Sequence, residues 1–219
     1  MGSSQAFIDL ERGGTTTTVQ AGGPGRPGVD DVAGRMRTRL AAQAAAEGLL
    51  EVGYRVVGTP VGDLVVAASP RGLVRVAFVE ISTRDDIVAQ LAADIGPRLL
   101  EAPGRLDDVA TQLDDYFAGR RRDFDLALDL QLAHGFRREV ITALPTIPSG
   151  STASYSDLAR RVDNPRAVRA VGSACATNPL PIVLPCHRVV RADGSLGRYA
   201  GGAAAKRTLL TLEGALLPP

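Results

Sequence analysis

The sequence predicts an α+β protein in which a β-rich segment precedes a mainly helical one. Short Val-rich runs, separated by turns that contain Gly and Pro, occupy residues 54–79 in the pattern of a small antiparallel meander. Apolar side chains then recur at helical spacing over residues 85–94 and 106–117, and again after residue 136. Strands followed by helices on one side are typical of α+β folds.

Four regions divide the 219 residues, a length that accommodates one large domain or two small ones. Residues 1–29 are rich in Gly, Thr and Pro and are expected to be a disordered tail, because they offer little apolar surface to bury. An appended helix is expected over residues 30–50, with aspartates to cap its start and a glycine to end it. Residues 51–133 are interpreted as an N-terminal α+β structural domain and residues 134–219 as a C-terminal domain.

The C-terminal region contains a candidate helix-turn-helix. Ser154 begins a Ser-x-x-acid pattern that predicts the start of a helix. Asn164 as cap and Pro165 as first helical residue predict a second helix that continues to residue 176. Two short helices joined by a tight turn are the arrangement of this motif.

Cysteine usage and hydropathy indicate a reduced, soluble, cytoplasmic protein. Two cysteines cannot build a disulfide framework, and no charged start followed by an apolar run marks a signal peptide. No stretch approaches the roughly 18 apolar residues of a membrane span, so no membrane interaction is expected.

Charge is distributed unevenly although the net charge is only +1. Residues 51–135 contain 14 acidic and 9 basic side chains, whereas residues 136–219 contain 5 acidic and 11 basic ones. The basic C-terminal part favours a nucleic-acid surface. Solvated arginines on an ordinary surface are the alternative.

The run Pro185-Cys186-His187-Arg188 suggests thiol chemistry. A reactive cysteine needs a group that generates its thiolate, and one of the two histidines is adjacent to Cys186. If the chain is extended here, neighbouring side chains point to opposite faces, so His187 would reach the sulfur through a water or a local bend. The other cysteine, Cys175, lies on an Ala-rich helical face and is interpreted as a packing residue.

This run resembles the active-site segment of the O6-alkylguanine-DNA alkyltransferases, the methylated-DNA–protein-cysteine methyltransferases, whose signature is Pro-Cys-His-Arg-Val. The resemblance extends in order and spacing from Gly135 to Gly214, with a weaker match over residues 54–134. It implies an N-terminal domain with a ribonuclease-H-like sheet. It also implies a winged-helix-like C-terminal domain that binds DNA through the helix-turn-helix and carries the alkyl acceptor.

The resemblance implies a role for each of five residues at the reaction centre. Cys186 is the alkyl acceptor, and His187 is its general base through a water. Glu213 orients the imidazole, because a carboxylate fixes the tautomer and supports the imidazolium that forms. Tyr155 donates a proton to the purine as the alkylated oxygen leaves, and Asn178 braces the turn at the active site.

The family resemblance also implies how the protein handles DNA. Arg169 is a finger that enters the minor groove and fills the space of a flipped nucleotide, which limits the unstacking penalty of a few kcal/mol. Tyr155 has a second role at the DNA phosphate, and small residues such as Ala167 and Gly172 permit close approach to the backbone. The implied substrate pocket consists of Tyr199, Gly197, Ala200, Gly201, Pro181 and Val189.

The implied reaction is a single transfer from O6-alkylguanine, and from O4-alkylthymine, in duplex DNA, which consumes a monomeric protein. No metal, nucleotide or methyl-donor cofactor is expected, and residues 1–133 lack the Cys and His that bind zinc in some relatives. Two departures from the family pattern are Ser149, where many relatives have a large residue, and Cys175-Ala176-Thr177, where others have a basic one.

Three alternative classes are considered. A non-catalytic alkyltransferase-like binding protein would lack the nucleophile, which Cys186 supplies here. A transcription regulator of the adaptive-response type would need an added DNA-binding segment and a zinc-bound cysteine. A cysteine hydrolase normally has its base far from the nucleophile in sequence.

Overall fold

A four-stranded sheet forms the N-terminal half of the computed structural model, which describes residues 29–216. Its spatial order is β3-β2-β1-β4. The first three strands pair antiparallel, which confirms the predicted meander, and β4 pairs parallel with β1. The strands are β1 (Val52–Val57), β2 (Leu64–Ser69), β3 (Gly72–Phe78) and β4 (Leu99–Glu101).

Seven α-helices and a second, two-stranded sheet accompany this sheet within the described residues. The helices are α1 (Val29–Ala46), α2 (Arg84–Asp94), α3 (Asp107–Phe117), α4 (Gly135–Ala143), α5 (Tyr155–Arg161), α6 (Val168–Ala176) and α7 (Gly202–Leu212). The second sheet pairs β5 (Ala153–Ser154) in parallel with β6 (Val189–Val190). Across residues 29–216, no helix is both long and apolar enough to span a bilayer.

Helix α1 is the predicted appended helix. The aspartates Asp30 and Asp31 were predicted to cap this helix, but it begins at Val29, so they lie in its first turn, and it ends at Ala46. Gly48 has a φ of +69° and follows the end of the helix, as expected for a stop. The predicted disordered tail otherwise lies outside the described residues. Helix α1 is anchored by Ala41, which packs with Leu50 and the β4 region.

Strand β2 is buried on both faces because the sheet lies between two layers. Val65 and Ala67 belong to a cluster with Ile87 and Leu91 of α2. The intervening residues, beginning with Leu64, belong to the main core, which continues without a break into α3 and the C-terminal helices. The N-terminal sheet therefore supports the C-terminal half directly.

The helix-turn-helix is formed by α5 and α6. Ser154 caps α5 in the predicted reciprocal arrangement: its hydroxyl accepts from the Asp157 amide, and its own amide donates to the Asp157 carboxylate. The predicted start of α6 at Pro165 is wrong. Ala167 donates its amide to the Asn164 carbonyl at 3.0 Å, which closes a turn that suits the fixed φ of Pro165, and α6 begins only at Val168.

Candidate active site

A buried turn over residues 178–185 presents the candidate nucleophile. The Asn178 side chain braces it: Nδ2 donates to the Leu184 carbonyl at 2.8 Å, and Oδ1 accepts from the Leu180 amide at 3.0 Å. Ile182 has a φ of +74°, a conformation that costs a non-Gly residue about 1–3 kcal/mol. The bracing by Asn178 therefore holds a strained backbone immediately before Cys186.

Cys186 is only 3 % exposed, and its sulfur accepts a hydrogen bond from Asn178 Nδ2 at 3.2 Å. Residues 186–188 form a short 3-10 turn closed by the Arg188 amide on the Pro185 carbonyl, so the chain is not extended here. Burial raises the pKa of the thiol to about 11, although Asn178 and Lys206 oppose this shift. The thiol is consequently neutral near pH 7 and needs a base.

His187 and Glu213, which are 26 positions apart, meet in the interior. His187 Nε2 lies 3.0 Å from Glu213 Oε1, and neither side chain is more than 2 % exposed. Burial lowers the pKa of His187 despite the opposing effect of Glu213. Burial alone would raise the pKa of Glu213, but hydrogen bonds from His187 and Arg188 lower it to about 2.

These protonation states assign the histidine tautomer. An ionised Glu213 can only accept, so the proton of a neutral His187 is on Nε2. Nδ1 then carries the lone pair, and it is buried without a hydrogen-bond partner among the described residues. Nδ1 is therefore the basic atom of the group.

Two further residues hold the Glu213 carboxylate, and both were missed from the sequence. Arg188 donates from Nε to Oε2 and from a terminal nitrogen to Oε1, each at 2.9 Å, and also to the Ile147 carbonyl at 2.7 Å. Tyr116 of α3 donates its hydroxyl to Oε1 at 2.7 Å. Arg188 had a signal, its place in the motif; Tyr116 had none, because 97 positions separate it from Glu213.

Lys206 is a third residue that the sequence analysis missed. It is fully buried on α7 and donates to the Val189 carbonyl at 2.5 Å. Burial lowers the pKa of Lys206 to about 8, and the smaller opposing effect of the two cysteine sulfurs does not cancel this shift. Its signal was a single charged residue on a helix face otherwise formed by Ala205, Leu209 and Leu210.

The loop over residues 197–202 lies against the reaction centre. The ring of Tyr199 contacts His187 edge-on with centroids 6.2 Å apart, and it contacts Phe78 of β3 in the same way at 5.7 Å. Its buried hydroxyl has no hydrogen-bond partner among residues 29–216. A Cβ on Gly201 would lie 2.5 Å from the Phe78 ring, so only glycine fits at this position.

The other predicted pocket residues occupy three places around the same centre. Ala200 lines a groove between the two halves of the protein, together with Asn178. Pro181 is within the buried turn, and Val189 is buried in β6, where its carbonyl holds Lys206. Gly197 has a φ of +68° and lies next to the Tyr155 hydroxyl.

Tyr155, the first residue of α5, lies between α6 and the loop. A Cβ on Gly172 would be 3.9 Å from its ring, and one on Gly197 would be 2.9 Å from its hydroxyl. Burial, with smaller effects from the Cys175 and Cys186 sulfurs, raises the pKa of Tyr155. The phenol is therefore a neutral hydrogen-bond donor within electrostatic range of the nucleophile.

Arg169 projects from the exposed face of α6. It is exposed and lines an open surface groove of about 520 Å³. Ala167 precedes the first residue of α6. The structure thus leaves Arg169 on the surface, apart from the buried residues of the centre.

The residues that depart from the family pattern, Ser149 and Cys175-Ala176-Thr177, lie in three different environments. Cys175 is 5 % exposed in the core, and burial raises its pKa to about 12, which agrees with a packing role. Ser149 is half-buried at a small cavity beside Tyr116 and Glu213. Ala176 and Thr177 are exposed at the end of α6.

Fold and site together define a class of protein: an α+β chain with a buried Cys–His–Glu group behind a helix-turn-helix. Residues 52–130 match the ribonuclease-like domain, and residues 135–215 the DNA-binding domain, of 6-O-methylguanine DNA methyltransferase. The chain therefore belongs to the 6-O-methylguanine DNA methyltransferase family.

Individual relatives agree with this assignment. The chain is 38% identical over 165 residues to the methylated-DNA–protein-cysteine methyltransferase of Mycobacterium tuberculosis H37Rv, a match that covers 75% of this chain and 94% of the relative. It is 36% identical to the protein of the same name from Methanosarcina mazei, covering 73% and 96%. The crystal structure of Mycobacterium tuberculosis OGT in complex with DNA superposes with a TM-score of 0.65 at 37% identity, covering 74% of this chain and 93% of that one. The predicted fold class is thereby confirmed.

Proposed function

We propose that this protein repairs duplex DNA by transferring an alkyl group from O6-alkylguanine to the sulfur of Cys186. The observation that carries the proposal is the buried thiol next to a histidine whose Nε2–H is held by an ionised Glu213. In a protein of this family, that arrangement leaves one basic atom, His187 Nδ1, for the thiol proton. O4-alkylthymine, which presents the same kind of O-alkyl carbon, belongs to the proposed substrate class.

The proposed step is one displacement at the alkyl carbon. The Cys186 proton passes through a water to His187 Nδ1 while the sulfur forms a bond to carbon. The carbon–O6 bond breaks, its electron pair returns to the purine, and Tyr155 donates a proton to the ring so that guanine leaves neutral. The proton on His187 then returns through water to the Tyr155 phenolate, so that both residues end neutral. Because the pKa of Cys186 is raised and that of His187 is lowered, the ion pair is a minor species at rest, and deprotonation accompanies attack.

The product explains why one protein molecule repairs one lesion. To regenerate the protein, the thioether would have to release the Cys186 thiolate, which burial makes a poor leaving group. The thioether also carries no proton for His187 to accept. Neither the displacement nor the proton path requires a metal or an organic cofactor. The protein is therefore expected to be consumed, as a monomer, in a single turnover.

Arg169 and Tyr155 are proposed to bring the base to the thiol. Arg169 is exposed on the second helix of the motif and has its guanidinium free to enter a minor groove. The small residues Ala167 and Gly172 flank it on the same segment, and small side chains permit close approach of the helix to the DNA. The flipped base would enter the pocket between Tyr155 and the loop that carries Tyr199.

The crystal structure of the Mycobacterium tuberculosis relative with DNA supports duplex DNA as the partner. The basic C-terminal charge agrees with this partner. A cytoplasmic location belongs to the same proposal, because two free, buried thiols suit a reducing compartment.

The direct test mixes the protein with a duplex that contains one O6-methylguanine and measures the intact protein mass. We expect a gain of one methyl group, located on Cys186, and removal of one lesion per protein molecule. Cys186→Ala should retain duplex binding and transfer nothing, whereas the matched control Cys175→Ala should transfer almost normally. Repair of many lesions per molecule, or methylation of Cys186→Ala, would contradict the proposal.

A further inference from the structure

We propose that Tyr116, on helix α3 of the N-terminal half, is a positioning residue for alkyl transfer. Its hydroxyl fixes the Glu213 carboxylate against His187, so the sheet-containing half takes part in the reaction centre. The inference rests on the proposed function, because it concerns the proton path of the same thiol. All the site residues predicted from the sequence lie in the C-terminal half. Tyr116 adds one from the N-terminal half.

The contacts of Glu213 support this role. Oε1 accepts from Tyr116 at 2.7 Å, from Arg188 at 2.9 Å and from His187 Nε2 at 3.0 Å, while Oε2 accepts from Arg188 at 2.9 Å. Three residues thus donate four hydrogen bonds to the carboxylate, three of them to Oε1. The shortest of these bonds is the one to Tyr116. The hydroxyl therefore acts on the same oxygen that orients the histidine.

The Tyr116 ring cannot swing away from this position. It is 2 % exposed and packs against the rings of Phe117 and Phe124, each with centroids 5.3 Å away. Helix α3 is itself anchored in the main core through Leu113 and Val109. The location of the hydroxyl is thus set by the packing of the N-terminal half.

The three residues that donate to Glu213 differ in whether their charge changes during the reaction. Burial, reinforced by the neighbouring Glu213, raises the pKa of Tyr116, so it remains a neutral donor. Arg188 remains a cation. His187 alone gains a proton during the reaction. Tyr116 and Arg188 can consequently hold Glu213 still while the charge on the imidazole changes.

Removing the Tyr116 hydroxyl therefore has a predictable electrostatic effect. The carboxylate would lose a donor and direct more of its negative charge at His187, which raises the pKa of the imidazole. The protonated, inactive form would then persist to higher pH. The titratable or charged groups that influence this pair are Tyr116, Cys186, Arg188, Tyr199 and Lys206.

The experiment compares Tyr116→Phe with the full-length wild type, using free O6-benzylguanine, a substrate that needs no DNA. We expect the acid limb of the pH–rate profile to move up by about half a unit, so the transfer rate on that limb should fall by about threefold. Tyr54→Phe removes a hydroxyl from a half-buried tyrosine of the same half, in β1, and should change neither. A normal profile for Tyr116→Phe, or a slower rate with an unmoved acid limb, would overturn the proposal.

A second variant covers the case in which Tyr116→Phe fails to fold. Site-specific 3-fluorotyrosine at position 116 keeps the ring and makes the hydroxyl a stronger donor, so the acid limb should move down. An unmoved limb in this variant would also overturn the proposal. Failure of the wild type to take up the methyl group from the O6-methylguanine duplex would instead refute the proposed function, which separates the two ideas.

Discussion

The role of each cysteine is set by its partners and not by its burial. Cys175 and Cys186 are both buried, and burial raises both thiol pKa values. Only Cys186 has the Asn178 amide on its sulfur and a histidine as its neighbour in the chain. The proposed reaction therefore needs a base that takes the proton during attack, because the raised pKa leaves the resting thiol protonated.

The pH dependence of transfer follows from His187. Only neutral His187 can accept the thiol proton, and burial lowers its pKa below the ordinary value of 6.5. The transfer rate should consequently stay level as the pH falls through 6.5 and should decline only at lower pH. Single-turnover rates with free O6-benzylguanine provide this profile. A decline centred at or above the ordinary histidine value would contradict the assigned tautomer and base.

At the scale of elements, the loop over residues 197–202 depends on one close approach. Gly201→Ala would place its Cβ 2.5 Å from the Phe78 ring, so the loop or the ring must move. We expect a loss of about 1–3 kcal/mol in the free energy of unfolding and slower transfer from every substrate. Chemical denaturation and single-turnover rates measure the two effects. Gly104→Ala is the matched control, because the nearest atom to its Cβ would be 3.9 Å away. An equal loss of stability in this control would show that the contact with Phe78 is not the cause.

The proposed role of Arg169 on helix α6 predicts different effects on duplex and free-base substrates. Arg169→Ala should slow repair of an O6-methylguanine duplex by about tenfold or more, since the few kcal/mol that offset unstacking are lost. It should affect free O6-benzylguanine far less, because that substrate is not flipped. Arg207→Ala, which removes another exposed positive charge, on α7, serves as the control. Equal losses of rate on the duplex and on the free base would contradict the role in base flipping and would indicate that Arg169 supports the substrate pocket.

Elements determined by local sequence were predictable, and contacts between distant segments were not. The capping box at Ser154 and the meander follow from short patterns, and both are present. The start of α6 was predicted three residues too early, because Pro165 suits a turn as well as a first helical position. The contact between Glu213 and Tyr116, 97 positions apart, depends on tertiary packing, which no local pattern specifies.

At the scale of the whole molecule, the reaction centre is also the junction of the two halves. Glu213 accepts from Tyr116 of the N-terminal half and from His187 and Arg188 of the C-terminal half. The main core likewise extends from β2 to α7. A change at this one carboxylate should therefore affect the stability of the whole described chain as well as the chemistry.

The acid stability of the protein tests this junction. The folded pKa of Glu213 is about 2, against an ordinary value of 4.5, so its ionisation stabilises the folded state fully above pH 4.5. That stabilisation, about 3 kcal/mol, is lost as the pH falls from 4.5 towards 2. Urea denaturation should show the difference between wild type and Glu213→Gln narrowing by this amount over the same interval. Glu139→Gln, at an exposed position on α4, should show no such narrowing. A difference between wild type and Glu213→Gln that stays constant with pH would mean that the buried carboxylate does not join the two halves.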